Sequence, residues 1–168
     1  MSLDCDAFEW EYEAGSEMLF EGISYELLQF HFHTGSEHQL NGQQYPMEIH
    51  LVHKDAATGN LAVIGVFFKE GNENTFLEKL GTTLPMENER ISKTEVLNVA
   101  DILPVNGSYF TYGGSLTTPP CSEIVSWVLM ENPVEASPQQ IERFHSVLED
   151  NYRPLQSLTN RIISHHIE

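Results

Sequence analysis

Three histidines carry the chemistry of this chain: His31 and His33 in Gln29-Phe30-His31-Phe32-His33, and His50 in Met47-Glu48-Ile49-His50. In an extended strand, residues i and i+2 share a face. His31 and His33 therefore project together, and Phe30 and Phe32 project the other way. A third imidazole from a nearby strand completes three protein ligands for a tetrahedral metal with its fourth corner open. That is the arrangement of a catalytic zinc rather than a structural one. Alone, a His-x-His pair is weak, because strand histidines also satisfy local hydrogen bonds. The neighbours add weight: Gln29 precedes His31 by two residues and Glu48 precedes His50 by two, so each shares a face with its imidazole. A metal-bound imidazole gives its second N–H to such an acceptor, which fixes the tautomer.

The elements that must position these side chains read mostly as strands. Phe8, Trp10 and Tyr12 alternate with Glu9 and Glu11, the pattern of a half-buried strand. Residues 24–33 and 47–53 read as two more, with Gly35, Asn41 and Gly42 supplying the turn between them. Residues 61–68 are nearly continuous apolar sequence, as in a central strand buried on both faces, and residues 123–130 are similar. Helices are few. Thr75-Phe76-Leu77-Glu78 fits a capping box and Gly81 a helix stop. Ser137-Pro138 reads as an N-cap followed by proline at the first helical position, and Ile141, Phe144 and Leu148 as the apolar stripe. Residues 151–168 read as an irregular tail.

Length and composition narrow the function classes. A chain of 168 residues, 40% apolar, suits one domain with a sizeable core. It holds no apolar run of about 18 residues or more, so no membrane-spanning segment is expected, and its start lacks the pattern of a signal peptide. A net charge of -17 disfavours nucleic acid and anionic membrane surfaces as partners and favours high solubility. Cys5 and Cys121 permit at most one internal disulfide, and neither belongs to a Cys-x-x-Cys pair.

Gln29-Phe30-His31-Phe32-His33, Ser36-Glu37-His38, Glu48-Ile49-His50-Leu51-Val52-His53 and Ser115-Leu116-Thr117-Thr118-Pro119-Pro120 resemble, in order, the signature segments of the alpha-class carbonic anhydrases. The similarity continues through Trp127, Asn151-Tyr152-Arg153-Pro154 and Asn160-Arg161. The resemblance implies a mainly β single domain over 1–168, with a large twisted, mostly antiparallel sheet and a few short peripheral helices. It implies zinc-dependent reversible hydration of carbon dioxide to bicarbonate and a proton, with Zn2+ held by His31, His33 and His50. Gln29, Glu48 and the backbone carbonyl of Asn151 match the acceptors that orient the three imidazoles. Thr117 matches the threonine that accepts a hydrogen bond from zinc-activated solvent, Glu37 the carboxylate that takes that threonine's proton, and Thr118 a residue that helps position bicarbonate. Val52, Val63, Leu116, Val125 and Trp127 match the apolar wall that carbon dioxide, having no charge or net dipole, requires. His38 and His53 match hydrogen-bonding and structural positions outside the ligand set.

The chain also departs from the family pattern. The N-terminal portion of the family domain is absent, which leaves a sheet edge open to pairing with a second copy, so a homodimer is a candidate partner besides carbon dioxide and bicarbonate. Asp6 stands where many members have a proton-shuttling histidine. An unperturbed aspartate titrates near about 3.9 and imidazole near about 6.5, so Asp6 is a poor relay at neutral pH. Cys121 follows the Pro-Pro pair where exported members often carry a disulfide cysteine, which implies a periplasmic or secreted parent; Cys5 is not at the partner position. Two alternatives stand beside the enzyme. One is a silent, binding relative, although such relatives usually lose a zinc histidine and this chain keeps all three. The other is a cupin metalloprotein, since His31-x-His33-x3-Glu37 resembles that family's first motif and would make Glu37 a direct ligand of iron or manganese.

Overall fold

The structure is a computed structural model that describes residues 10–11, 15–81, 97–158 and 160–168. Phe8, Tyr12, Cys5 and Asp6 lie outside the described residues. In chain order the strands are β1 (Trp10–Glu11), β2 (Glu17–Phe20), β3 (Ile23–Thr34), β4 (Gln39–Leu40), β5 (Gln43–Gln44), β6 (Met47–Lys54), β7 (Leu61–Glu70), β8 (Tyr109–Gly114), β9 (Val125–Met130), β10 (Val134–Ala136) and β11 (Ser164–His166). The helices are α1 (Thr75–Lys79) and α2 (Pro138–Leu148), with a 3-10 turn at Val99–Ile102. Nine strands make one mixed sheet in the order β1-β3-β6-β7-β9-β8-β11, with β2 added to β3 and β10 to β7. The β7–β9 and β7–β10 pairs are parallel and the rest antiparallel. β4 and β5 form a separate hairpin inside the expected turn.

The two sheet faces have different chemistry. One carries Phe30, Phe32, Ile49, Leu51, Val66, Phe68, Val128 and Met130, closed by Phe76 and Leu77 of α1 and by Phe144 and Leu148 of α2 into the main core. Trp10 stacks on Phe30 at 5.5 Å, and Phe32 packs on Phe144 at 4.6 Å. Each fully buried phenylalanine contributes about 1.5–3 kcal/mol. The opposite face carries Gln29, His31 and His33, paired to Val52, His50 and Glu48 respectively. A register shift between Leu27 and Gln29 makes this division possible. Strict alternation would put Leu27 beside Gln29 and the histidines; the extra residue of a bulge resets the phase. Leu27 is buried in the main core, while Leu28 is exposed.

Helix boundaries differ from the sequence expectation at one point. The N-cap of α1 is Asn74, not Thr75: its Oδ1 accepts from the backbone N–H groups of Phe76 and Leu77, and its Nδ2 donates to the Glu135 carbonyl. An N-cap that also ties the helix to β10 outcompetes a threonine that would cap alone. Gly81 has φ +85°, the left-handed residue that ends the helix. At α2 the expected cap is formed, with Ser137 and Gln140 making a complete capping box. The tail is not wholly irregular, because β11 pairs with β8 and lays His165 on Phe110 and His166 on Tyr109.

Candidate metal centre

His31 and His50 are direct cross-strand partners, and His33 lies two residues along β3 from His31. All three are buried, and one ring nitrogen from each lies within 4.8 Å of the others. The second nitrogen of each ring is tied down. His33 Nδ1–H donates to the Asn151 carbonyl at 2.9 Å, and His50 Nε2–H donates to Glu48 Oε1 at 2.8 Å. His31 Nδ1–H donates to Gln29 Oε1 at 2.9 Å. These partners are oxygen acceptors, so the protons sit on the outer nitrogens. The inner atoms, His31 Nε2, His33 Nε2 and His50 Nδ1, therefore all present lone pairs to one point.

Such a cluster has the donor set to hold a cation. His31 Nε2 and His50 Nδ1 are 3.3 Å apart with no proton to share. Zinc–nitrogen bonds of about 2.0–2.1 Å in a tetrahedron place two donors about 3.3–3.4 Å apart, which fits. His33 Nε2 is buried with no hydrogen-bond partner. Burial drives the pKa of His31 well below its ordinary value, and His50 and His33 beside it push the same way. Burial also lowers His33, with His50 adding to it and Glu37 partly opposing. Neutral imidazoles are the form that binds metal.

Behind His50 lies a buried polar chain. Glu48 Oε1 accepts from His50 and also from His38 Nδ1–H at 2.6 Å, Glu48 Oε2 accepts the His38 backbone N–H at 3.0 Å, and His38 Nε2 is hydrogen-bonded to the Tyr112 hydroxyl at 2.6 Å. Burial alone would raise the Glu48 carboxyl, but His38 and His50 hold it well below the usual carboxylate range. His38 is pulled down by burial yet ends above its ordinary value because Glu48 faces it. His38, Glu48 and His50 also lie within metal-binding distance of one another. Their facing atoms are already paired among themselves, so this trio orients the first cluster. His53 faces the main core and donates Nδ1–H to the Leu51 carbonyl at 3.0 Å.

Glu37 takes an unexpected position. Its Oε1 accepts the Arg153 backbone N–H at 2.9 Å, and its Oε2 is buried without a hydrogen-bond partner, 3.4 Å from His33 Nε2 and 3.9 Å from His50 Nδ1. The expected hydrogen bond from Thr117 is not formed. Glu37 instead turns its free oxygen toward the imidazoles, beyond a bend at Gly35, which has φ +74°. The cluster able to hold a metal comprises the three histidines without Glu37, although Glu37 Oε2 approaches two of their inner nitrogens. Thr117 and Thr118 are half-buried in the loop after β8. That loop is pinned by Trp127 Nε1–H donating to Ser115 O at 3.2 Å and by the Arg153 guanidinium reaching Leu116 O at 3.3 Å.

The five apolar residues assigned by resemblance come together. Val52, Val63, Val125 and Trp127 form one buried cluster separate from the main core, with Leu116, Leu61 and Tyr112 packed against it. Trp127 joins it to the histidine cluster, its ring 4.8 Å from His50 and 4.7 Å from His38. Leu61, Tyr112 and the backbone N–H of Arg153 went unassigned. Tyr112 alternates with Phe110 on the site face of β8, a strand not recognised in the sequence. A backbone donor leaves no side-chain signal at all. Cys121 is a free, half-buried thiol. Among the described residues no helix is long and apolar enough to cross a membrane.

The sequence matches the family described as eukaryotic-type carbonic anhydrase over residues 6–167. A carbonic anhydrase of Nostoc sp. is 43% identical over 154 residues, which covers 90% of this chain and 58% of that protein. One of Klebsiella pneumoniae is 42% identical and covers 85% of this chain and 58% of that protein. The chain thus spans little more than half the length of these relatives. Among solved structures, the alpha-carbonic anhydrase of Thermovibrio ammonificans, in complex with the inhibitor sulfanilamide, superposes with a TM-score of 0.90 at 42% identity, over 95% of this chain and 71% of that one. A hyperthermostable carbonic anhydrase from a hydrothermal vent chimney superposes with a TM-score of 0.91 at 46% identity, over 96% and 73%.

Proposed function

The chain belongs to the eukaryotic-type carbonic anhydrase family, and from that premise we propose that it catalyses the reversible hydration of carbon dioxide to bicarbonate and a proton, with zinc held by His31, His33 and His50. The observation that carries this reading is the convergence of three unprotonated imidazole nitrogens, each fixed in its tautomer by a separate acceptor. When bound, zinc supplies hydroxide at neutral pH by lowering the pKa of water to about 7, a value established for carbonic anhydrase itself.

The chain's own residues do the rest. Gln29, the Asn151 carbonyl and Glu48 hold the three rings so that their lone pairs face inward. The Arg153 N–H fixes one oxygen of Glu37 and leaves the other free. In the proposed reaction Glu37 turns that free oxygen from the imidazoles to the Thr117 hydroxyl; an ionised carboxylate only accepts, so Thr117 then donates to it and acts as an acceptor toward the reacting solvent. Thr118, next in the same pinned loop, positions bicarbonate. Val52, Val63, Leu116, Val125 and Trp127 offer carbon dioxide an apolar surface beside the metal and exclude water from it.

Zinc stoichiometry and stopped-flow hydration, measured on the same sample of this chain and of His33→Ala, test the proposal. One zinc per chain with rapid hydration is expected, and both are lost in His33→Ala. A folded chain that takes up no zinc overturns the metal reading. A chain with full zinc and no hydration overturns the catalytic one.

A further inference from the structure

Gly65 sits in the central row of the site face, opposite His50 on β6 and Leu129 on β9. Its same-face neighbours on β7, Val63 and Phe67, are large and buried. A glycine inside a strand weakens it, and it often marks a close approach by another group. Here the approaching group is identifiable. A Cβ at position 65 would lie 3.0 Å from Glu48 Oε1, 2.9 Å from Leu129 Cδ1 and 3.8 Å from His50 Cδ2. Leu129 packs against Tyr45 and Phe67, so it has little room to retreat. The oxygen over Gly65 is the one that accepts from both His50 Nε2–H and His38 Nδ1–H.

We propose that Gly65 is a positioning residue of the metal centre: its missing side chain is the space in which the Glu48 carboxylate fixes the tautomer and orientation of His50. The inference rests on the zinc reading above. A methyl group at position 65 wedges between Leu129 and the carboxylate and lengthens the Glu48–His50 hydrogen bond, with no change in any metal-facing residue.

The test is zinc affinity by competition with a chromogenic chelator, together with the visible spectrum of the cobalt(II) form. Wild type, Gly65→Ala, Glu48→Gln and the double variant are compared. Disturbing a group that orients a ligand costs about 10–100-fold in metal affinity, so Gly65→Ala is expected to lose that much and to shift the cobalt bands. The double variant should bind within about twofold of Glu48→Gln alone, because both changes break one contact. Gly113→Ala, where an added Cβ meets nothing within 4 Å, should bind as wild type does. Should Gly65→Ala fail to fold, Gly65→Ala/Glu48→Asp withdraws the acid from the methyl group; it is expected to fold and bind zinc as Glu48→Asp does, and failure to do so overturns the proposal. Wild-type affinity in Gly65→Ala, or losses that multiply in the double variant, also overturn it while leaving the zinc reading intact. A wild-type chain that binds no zinc removes both.

Discussion

The backbone carbonyl of Asn151 accepts a hydrogen bond from His33 Nδ1 at 2.9 Å, although 118 positions separate the two residues. The side chain of the same asparagine grips β3 directly. Its Oδ1 accepts from the Thr34 N–H and its Nδ2 donates to the Phe32 carbonyl, each at 3.0 Å. Around it, the Thr34 hydroxyl donates to the Glu149 carbonyl, and the Arg153 N–H reaches Glu37. Residues 149–153 thus form a strap across the end of β3, and the strap holds one proposed ligand and the proposed acid partner together.

Asn151→Ala keeps the carbonyl but removes the grip that places it. Two part-buried backbone groups on β3 lose their partners, at about 1–3 kcal/mol for an unsatisfied buried group. The His33 ring is freed to turn. The expected outcome is a lower urea midpoint together with about a tenfold or greater loss of zinc affinity. Both are read on one preparation, by denaturant titration and chelator competition. A stability loss with unchanged zinc affinity would show that the strap serves the fold alone.

Gly35→Ala attacks the same strap from the opposite side. Gly35 has φ +74°, and an added Cβ would fall on the ring of Tyr152. Left-handed backbone costs an L-residue about 1–2 kcal/mol, and displacing Tyr152 adds to that. Gly22→Ala separates the two terms, because Gly22 has φ +80° but an added Cβ there meets nothing within 4 Å. Gly35→Ala is therefore expected to lower the thermal midpoint well beyond Gly22→Ala, and to weaken zinc binding where Gly22→Ala does not. Equal effects of the two would reduce Gly35 to a turn residue.

The convergence of the three histidines was legible because a period of two converts directly into a face, and the polar neighbours Gln29 and Glu48 have the same parity. What that pattern could not reveal is that His50 turns Nδ1 inward while His31 and His33 turn Nε2 inward; this follows from side-chain reach. The bulge at Leu28 was hidden because Leu27 and Leu28 are both apolar and nothing distinguishes a core residue from an extra one. β8 escaped notice because Tyr109 to Gly114 lacks polar alternation and ends in two glycines. β11 escaped because its three polar residues are exposed and gain their place from stacking on β8. Asn74 and Thr75 are both good caps by type, and the contact with β10 that decides between them is tertiary.

Thr117→Val and Glu37→Gln probe the hydroxyl and its acceptor. Valine preserves the shape of threonine and removes its hydrogen bonds. Glutamine preserves the Arg153 contact through its carbonyl oxygen but offers Thr117 a donor in place of an acceptor. Thr117 makes no hydrogen bond to the three histidines, so Thr117→Val should leave zinc affinity near wild type. Glu37→Gln can set an amide N–H against His33 Nε2, which its carboxylate oxygen faces at 3.4 Å, and should weaken zinc binding. Hydration should fall by about 100-fold or more, the size of effect seen when one group that orients or stabilises the reacting atoms is removed. The double variant should be no slower than the worse single, because the two residues are proposed to act as one unit. Multiplying losses, measured by stopped flow, would separate Thr117 from Glu37.

Val63→Phe probes the apolar wall. Val63 lies on β7 directly between Val52 and Trp127, within the cluster that adjoins His50. A phenyl ring there enters the apolar space proposed for carbon dioxide without touching an acceptor of the metal centre. Overpacking of this kind costs about 1–3 kcal/mol of stability, so the variant should fold with a lowered thermal midpoint. Zinc affinity should be retained, since Gln29, Glu48 and Asn151 keep their contacts. The efficiency of hydration, kcat/KM, should fall by at least about tenfold, corresponding to about 1.4 kcal/mol of lost transition-state binding. Val66→Ala gives the contrast: Val66 faces the main core from the other side of the same strand, and its truncation should lower stability while leaving kcat/KM near wild type. If both variants reduced kcat/KM alike, the loss would come from general loosening of β7, and the valine cluster would have no claim on the substrate.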